Sequence, residues 1–189
     1  MSDDAPGDVV GGYELLQVVG QGGMAVVWKA RSSDGEIVAI KRLQPIFELD
    51  SVFRTMFVEE ARVASTLRHR HIVALLGAGH TPDGRPYHAL QWVHGVDLAR
   101  FVDWHHDDQR PTPWRLVTRI MAHALRGLAA AHDRCDASGA LSPVYHRDVS
   151  PGNVLCDVTG IARLADFGVA KAMDRASMTM PGLLKGTLG

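Results

Sequence analysis

Glu60 sits on the apolar stripe of a predicted helix, where a carboxylate needs a cationic partner to be tolerated. Lys41 is the nearest candidate in sequence. It follows Ala39 by two residues, so both side chains share one face of a predicted strand, and a lysine on a buried strand face is itself unusual. Glu59, off the stripe, reads as solvated. Upstream, Gly20, Gly22 and Gly23 fall between two predicted strands, where the lack of a Cβ lets backbone amides approach phosphate oxygens closely. On their own these glycines read by default as a flexible hairpin turn. Two other phosphate-binding arrangements are disfavoured: Val26, Val27 and Trp28 continue as a strand instead of opening a helix, and no GxxxxGK[ST] loop is present.

The strongest signal lies further on. His146-Arg147-Asp148-Val149-Ser150-Pro151-Gly152-Asn153 is followed, eighteen residues after Asp148, by Asp166-Phe167-Gly168. With the glycine loop and Val38-Ala39-Ile40-Lys41, these make four motifs in order and at matching spacing. The chain therefore resembles the protein kinases, specifically the bacterial serine/threonine kinases, from about Tyr13 to Gly189.

That resemblance implies roles for individual residues. Val19, Gly20, Gly22 and Gly23 would form the loop over the ATP phosphates, and Lys41, held by Glu60, would contact the α and β phosphates. Asp166 and Asn153 would be the magnesium ligands, and Asp148 would orient the substrate hydroxyl and accept its proton. Val27, Ala39 and Leu155 would enclose the adenine, Gln91 to Val93 would be the hinge it bonds to, and Leu90 the gatekeeper before it. The cofactors implied are ATP and Mg2+, and the partner is a protein with a serine or threonine acceptor. His69, His71, His105 and His106 are not expected to bind metal, because magnesium prefers oxygen ligands and the family uses His69 in a structural turn. Arg147 resembles the arginine that grips a phosphorylated activation loop, with Ser177 and Thr179 either its phosphoacceptors or ordinary loop hydroxyls; Thr187 resembles a threonine that supports the catalytic aspartate.

Three departures qualify the match. Ala25 replaces the third loop glycine, which leaves the backbone donors in place. Ser150 stands where these kinases usually carry a lysine, and a neutral hydroxyl cannot supply that charge to the transferring phosphate unless Lys171 or Lys185 does. The chain ends at Gly189, before the family's APE motif and its remaining large-lobe helices, so the inward face of the helix at 112–132 is expected to lie uncovered unless a partner chain or self-association covers it. Besides a kinase, the sequence leaves open a weak or inactive ATP-binding or interaction fragment, and a small-molecule phosphotransferase of related fold.

The elements that must carry these residues are legible from periodicity. Strands are predicted at Tyr13–Val19, Val26–Ala30 and Ile37–Leu43, with Asp34-Gly35 closing a hairpin. Phe53, Phe57, Ala61, Ala64 and Leu67 recur at helical spacing from Asp50 to Leu67. Two more strands are expected at Ile72–Ala78 and Tyr87–Val93 around a Thr81-Pro82-Asp83-Gly84 turn. A second helix should run from a Thr112 cap, with Pro113 as its first residue, to His132, turning Leu116, Ile120, Ala124 and Leu128 inward; Asp136 to Pro143 should be a surface insertion. The expected class is α+β, a two-lobe kinase-like fold: tail 1–12, small lobe 13–93 of antiparallel sheet with one main helix, and an incomplete, mainly helical large lobe 94–189.

Composition agrees with a globular protein: 46% of its 189 residues are hydrophobic, and 20 basic against 21 acidic residues give no footprint for nucleic acid. Cys135 and Cys156 lack metal or redox spacing and are expected as free thiols. The acidic N-terminus carries no secretory pattern and no apolar run is long enough to span a bilayer, so the chain reads as cytoplasmic.

Overall fold

The computed structural model describes residues 4–108, 111 and 113–167. Its first half is a six-stranded antiparallel sheet of β1 (Val9–Val10), β2 (Tyr13–Gln21), β3 (Ala25–Arg31), β4 (Ile37–Leu43), β5 (Leu75–His80) and β6 (Pro86–Gln91), in the order β1-β2-β3-β4-β6-β5. The Asp34-Gly35 turn forms as expected, with Gly35 at φ 89° and its amide donating to the Ser32 carbonyl at 3.0 Å. Ahead of Tyr13, in the stretch expected as a tail, Val10 is buried and Val9–Val10 pairs with Tyr13 and Glu14.

Alternation along β4 gives the sheet two working faces. Val38, Ile40 and Arg42 point to one side, where Val10, Leu15, Trp28, Ala30 and Ala89 complete a buried core; Ala39 and Lys41 point to the other. A short helix α1 (Pro45–Glu48) then leads into α2 (Ser51–Ala64), whose N-cap Asp50 accepts from the Val52 amide at 2.8 Å. Phe57 and Ala61 bury the expected stripe of α2. The helix stops at Ala64 and not at Leu67, because the Thr66 and Leu67 amides bond three residues back, tightening the chain into a turn that still buries Leu67.

The apolar run from Ile72 was expected to be one strand and is split between two partners. Ile72 bridges to Leu164 and the Val73 amide donates to the Leu164 carbonyl at 2.8 Å, so only Leu75 onward joins the first sheet. Similarly β6 ends at Gln91, and Trp92-Val93 leaves the sheet.

The second half comprises β7 (Gly95–Asp97), α3 (Leu98–Asp107), α4 (Trp114–His132), β8 (Val154–Asp157) and β9 (Ala162–Leu164), the three strands forming a small antiparallel sheet β7-β8-β9. Neither α1 nor α3 is announced by a long periodic run; α3 is set by the Asp97 cap, which accepts from the Arg100 amide at 2.8 Å. Pro113 is the N-cap of α4, not its first helical residue, with ψ at 98° holding it extended; Thr112 lies outside the described residues. Ile120 and Ala124 are buried and Leu116 and Leu128 partly so, packed with Val154, Ala162 and Leu164. The stripe expected to lie uncovered is thus packed by β8 and β9, while Trp114, Met121 and Leu125, on the strip of the helix beside it, are exposed.

Gly127 of α4 faces the His71 backbone, and a Cβ there would lie 2.6 Å from the His71 carbonyl oxygen. His71 in turn stacks on His123 at 4.2 Å, its Nδ1 bonding the Ala162 carbonyl at 2.9 Å while His123 Nδ1 accepts from the Ala162 amide at 3.2 Å. Gly127→Ala should push the turn after α2 away from α4 and lower stability by roughly 1–3 kcal/mol, seen as a drop in the urea midpoint at unchanged slope.

Candidate active site

Lys41 and Arg42 are neighbours on β4 with opposite duties. Lys41 turns into the space between the two halves of the fold, where its Nζ donates to Glu60 Oε1 at 2.6 Å and to Asp166 Oδ1 at 2.7 Å. The Lys41 and Glu60 side chains are 7% and 9% exposed, so the pair is sealed from water, while Asp166 at 38% faces the cleft. α2 supplies Glu60 because its position falls on the buried stripe; Glu59, one residue earlier, instead forms an exposed pair with Arg62 at 2.7 Å. Burial works against the Lys41 charge, but the Asp166 and Glu60 carboxylates outweigh it and hold the ammonium well above its ordinary pKa. Burial also opposes the charge on Asp166, yet Lys41 keeps that carboxyl below the usual range, whereas burial and the repulsion of Asp166 push Glu60 upward. One ammonium thus serves two carboxylates, leaving a surplus of negative charge at the cleft floor.

The loop carrying Asp148 and the turn carrying Asp166 are fastened to each other by His146. This ring is 2% exposed and its pKa is lowered by burial, so it is neutral. With the proton on Nε2 it donates to the Ala165 carbonyl at 2.8 Å, while Nδ1 accepts from the Asp148 amide at 3.4 Å, and Phe167 packs on it at 4.5 Å. On either side of this clasp the backbone is forced out of its preferred regions: Arg147 has φ 67° and Asp166 φ 60°. Left-handed conformations at non-glycine residues cost about 1–3 kcal/mol each and persist where the surroundings over-determine them. Here they aim Asp148 and Asp166 into the same cleft.

Asn153 completes the group. Its Nδ2 donates to the Asp148 carbonyl at 2.9 Å and to Asp148 Oδ2 at 3.0 Å, which turns Oδ1 away from that carboxylate and leaves it as an acceptor. The short 3₁₀ turn Pro151–Asn153 that presents it begins after Ser150, whose extended backbone caps the turn.

The residues expected from the sequence to hold nucleotide or magnesium or to act in transfer all line one of two adjoining cavities. The first, about 270 Å³, is bounded by Gly22, Gly23, Val27, Lys41, Glu60, Asp148, Asn153 and Asp166. The second, about 530 Å³, is bounded by Val19, Gly20, Val27, Ala39, Leu90, Gln91, Val93, Leu155 and Asp166. They meet at Val27 and Asp166. The first is charged at its floor, with Gly22 and Gly23 above it and the Gly22 amide donating to the Ala25 carbonyl at 2.9 Å; the second has apolar walls at Val19, Val27, Ala39, Leu90 and Leu155 and is also lined by Gln17, Asp97 and Arg100. Val18, Val73, Met56 and Asp97 also line them and were not foreseen; Val18 and Val73 both lie in β-branched runs read as strands, which is the one signal that could have found them. Ser177, Thr179, Thr187, Lys171 and Lys185 lie outside the described residues.

Among the described residues no group of three or more histidine, cysteine or acidic side chains could hold a metal by itself. The Asp166 carboxylate and the Asn153 carbonyl oxygen nevertheless fit magnesium, which takes oxygen ligands and is commonly held by one or two side chains together with substrate phosphates. Cys156 is not a competing nucleophile: burial, with Asp97 and Asp157 nearby, pushes its thiol up to about 11. Among the described residues no helix is long and apolar enough to cross a membrane.

His88, paired with Lys41 across β4 and β6, is 2% exposed and stacked on Phe57 of α2 at 3.8 Å. Burial and the Lys41 charge pull its pKa down to about 4. Because the folded value is below the unfolded one near 6.5, the unfolded chain binds a proton first as pH falls, so stability is lost on acidification from about 6.5 towards 4, by up to about 3 kcal/mol. His88→Leu should flatten that acid limb in urea unfolding measured between pH 7 and pH 4.5; an equally steep limb would clear His88 of the effect.

Comparison with known proteins gives a consistent result. The family model described as "Protein kinase domain" matches residues 13–185. The serine/threonine-protein kinase PknE of Mycobacterium tuberculosis is 35% identical over 188 residues, covering 99% of this chain and 31% of that protein. The tyrosine-protein kinase MasK of Myxococcus xanthus is 33% identical over 180 residues, covering 93% of this chain and 28% of that protein. Among solved structures, the M. tuberculosis PknI kinase domain superposes with a TM-score of 0.66 at 28% identity, over 89% of this chain and 64% of that one. The chain spans about a third of the length of these curated relatives.

Proposed function

The chain belongs to the protein kinase family, and from that premise we propose that it transfers the γ-phosphate of magnesium-ATP to serine or threonine hydroxyls of a protein. The observation that carries this reading is the single ammonium of Lys41 bonded to both Glu60 and Asp166, on the wall shared with Asp148 and Asn153. Lys41 holds the α and β phosphates, and the glycine loop at Gly20–Gly23 covers them. Asp166 and Asn153 would hold the magnesium ion, which when bound neutralises phosphate charge at the cleft floor. Asp148 accepts the proton of the acceptor hydroxyl, its carboxylate oriented by the Asn153 amide. Val27, Ala39, Leu90 and Leu155 suit an adenine in the apolar cavity, with the backbone at Gln91–Val93 as its hydrogen-bonding edge.

Ser150 itself supplies no cation where such enzymes usually place one beside the transferring group, which supports a slow rate. The test is incubation of the chain with radiolabelled ATP, magnesium and a generic protein acceptor, followed by acid hydrolysis. Label in phosphoserine or phosphothreonine supports the reading. Label in phosphotyrosine, the activity named for the MasK relative, would redirect it, and nucleotide-dependent thermal stabilisation without any transfer would favour an ATP-binding module instead.

A further inference from the structure

The face of the sheet opposite Lys41 holds a second buried charge cluster. Arg42 is 2% exposed, and among the described residues its one hydrogen bond runs from Nη1 to Asp4 Oδ1 at 2.6 Å; its Nε and Nη2 have no hydrogen-bond partner. Asp4 Oδ1 also pairs with Arg85 Nη1 at 3.3 Å, and Arg85 Nε donates to Glu48 Oε1 at 2.6 Å, which lies 4.0 Å from Arg42 Nη2. Two arginines and two carboxylates therefore close a ring joining the N-terminal segment, β4, the β5–β6 turn and α1.

A buried guanidinium with two unbonded nitrogens is expensive, and removing one carboxylate from such a group leaves uncompensated charge. Stability alone would be served as well by apolar residues of similar volume, so the position of the ring is informative. Glu48 is the last residue of α1, one residue before Leu49 and two before the Asp50 cap of α2. Phe47 of α1 packs on Phe53 of α2 with ring centroids 4.7 Å apart, and Arg54 of α2 donates to the Gly84 carbonyl at 2.8 Å, next to Arg85. The start of α2 is thus moored to the β5–β6 turn twice, and α2 is the element that delivers Glu60 to Lys41.

We propose that Asp4 is a positioning residue: through Arg42, Arg85 and Glu48 the N-terminal segment straps α1 to the sheet and thereby holds Glu60 of α2 against Lys41. The assignment of Lys41 and Glu60 to nucleotide binding rests on the function proposed above, whereas the mooring of α2 does not. Lys41 and Arg42, adjacent on β4, are the two ends of this arrangement. One takes one of its two carboxylates, Glu60, from α2, and the other shares Asp4 and Glu48 with Arg85, next to the segment leading into α2.

Amide hydrogen exchange on the full chain without nucleotide tests the mooring. Asp4→Asn keeps the side chain's shape and removes its charge. It should raise exchange across residues 45–64 several-fold and leave residues 114–132 of α4 unchanged. Exchange unchanged at 45–64, or raised equally in α4, would overturn the proposal. Glu48→Gln opens the ring from the helix end and is read in the same way if Asp4→Asn fails to fold. The link to Lys41 is tested by magnesium-ATP affinity in a double-mutant cycle with Glu60→Gln. Asp4→Asn should weaken binding roughly fivefold or more in the parent chain and have little effect beside Glu60→Gln. Additive effects would overturn that link. A parent chain that binds no nucleotide would sink the kinase reading and leave the exchange result to decide the mooring.

Discussion

Lys41→Met should lower phosphate incorporation by roughly 10²- to 10³-fold, the cost of deleting one preorganised charge from a transfer site. The effect is expected to be large because this ammonium has two partners and both belong to the site: Glu60 at 2.6 Å and Asp166 at 2.7 Å. Methionine occupies a similar volume but leaves the buried Glu60 carboxylate without its cation and beside the Asp166 carboxylate at the cleft edge. Glu60, already pushed up by burial, will take a proton there. A carboxyl whose folded pKa is raised stabilises the fold at low pH and loses that contribution as pH rises through the raised value. The variant should therefore lie closest to wild-type stability near pH 5 and fall behind towards pH 8, by about 3–5 kcal/mol at most. Radiolabel incorporation measures the first effect and urea unfolding at the two pH values the second. Wild-type transfer by Lys41→Met would remove Lys41 from the mechanism.

Asp148→Asn should behave differently: transfer falls by roughly 10²- to 10⁴-fold, and magnesium-ATP still raises the melting temperature as in the parent chain. Asp148 contacts neither Lys41 nor Glu60; its bonds run to Asn153 and, through its amide, to His146. An asparagine side chain can still accept from Asn153 Nδ2 but cannot take a proton from a hydroxyl. If nucleotide stabilisation disappears together with transfer, Asp148 acts by holding Asn153 in place and not as the base. The two substitutions therefore separate the half of the cleft proposed to hold phosphates from the half proposed to receive the acceptor.

Much of this site was legible because its residues sit in short motifs whose local geometry is nearly self-contained. Asp148 and Asn153 are five residues apart on one loop and 3₁₀ turn, so their contact follows from the local chain path. The strands around the glycine loop were visible as β-branched runs between turn residues. Glu60 could be paired with Lys41 because a carboxylate on a helical apolar stripe has few other ways to be satisfied. Other features left no local trace. The run from Ile72 looks like one strand, yet Ile72 and Val73 answer to Leu164 while Leu75 answers to Leu90. Pro113 fits the first turn of a helix as well as a cap, and only its ψ decides. The α1 helix has four residues, too few to show a period.

The sequence by itself determined which side chains could meet a nucleotide, because lysine, carboxylates, amide and glycines are read from type and spacing. Tertiary structure decided how they share one charge. Asp166 lies 125 residues from Lys41, and no periodicity can say that one ammonium serves both it and Glu60. It also decided that His146, neutral and buried, clasps the turns of Asp148 and Asp166 together, paying for left-handed backbone at Arg147 and Asp166. Asp4, which reads as part of an acidic tail, becomes the counter-ion of a buried arginine beside Lys41. Burial is the physical reason in each case: a charge has a fixed meaning in water, but once desolvated its effect depends on whichever partner the fold brings within hydrogen-bonding distance.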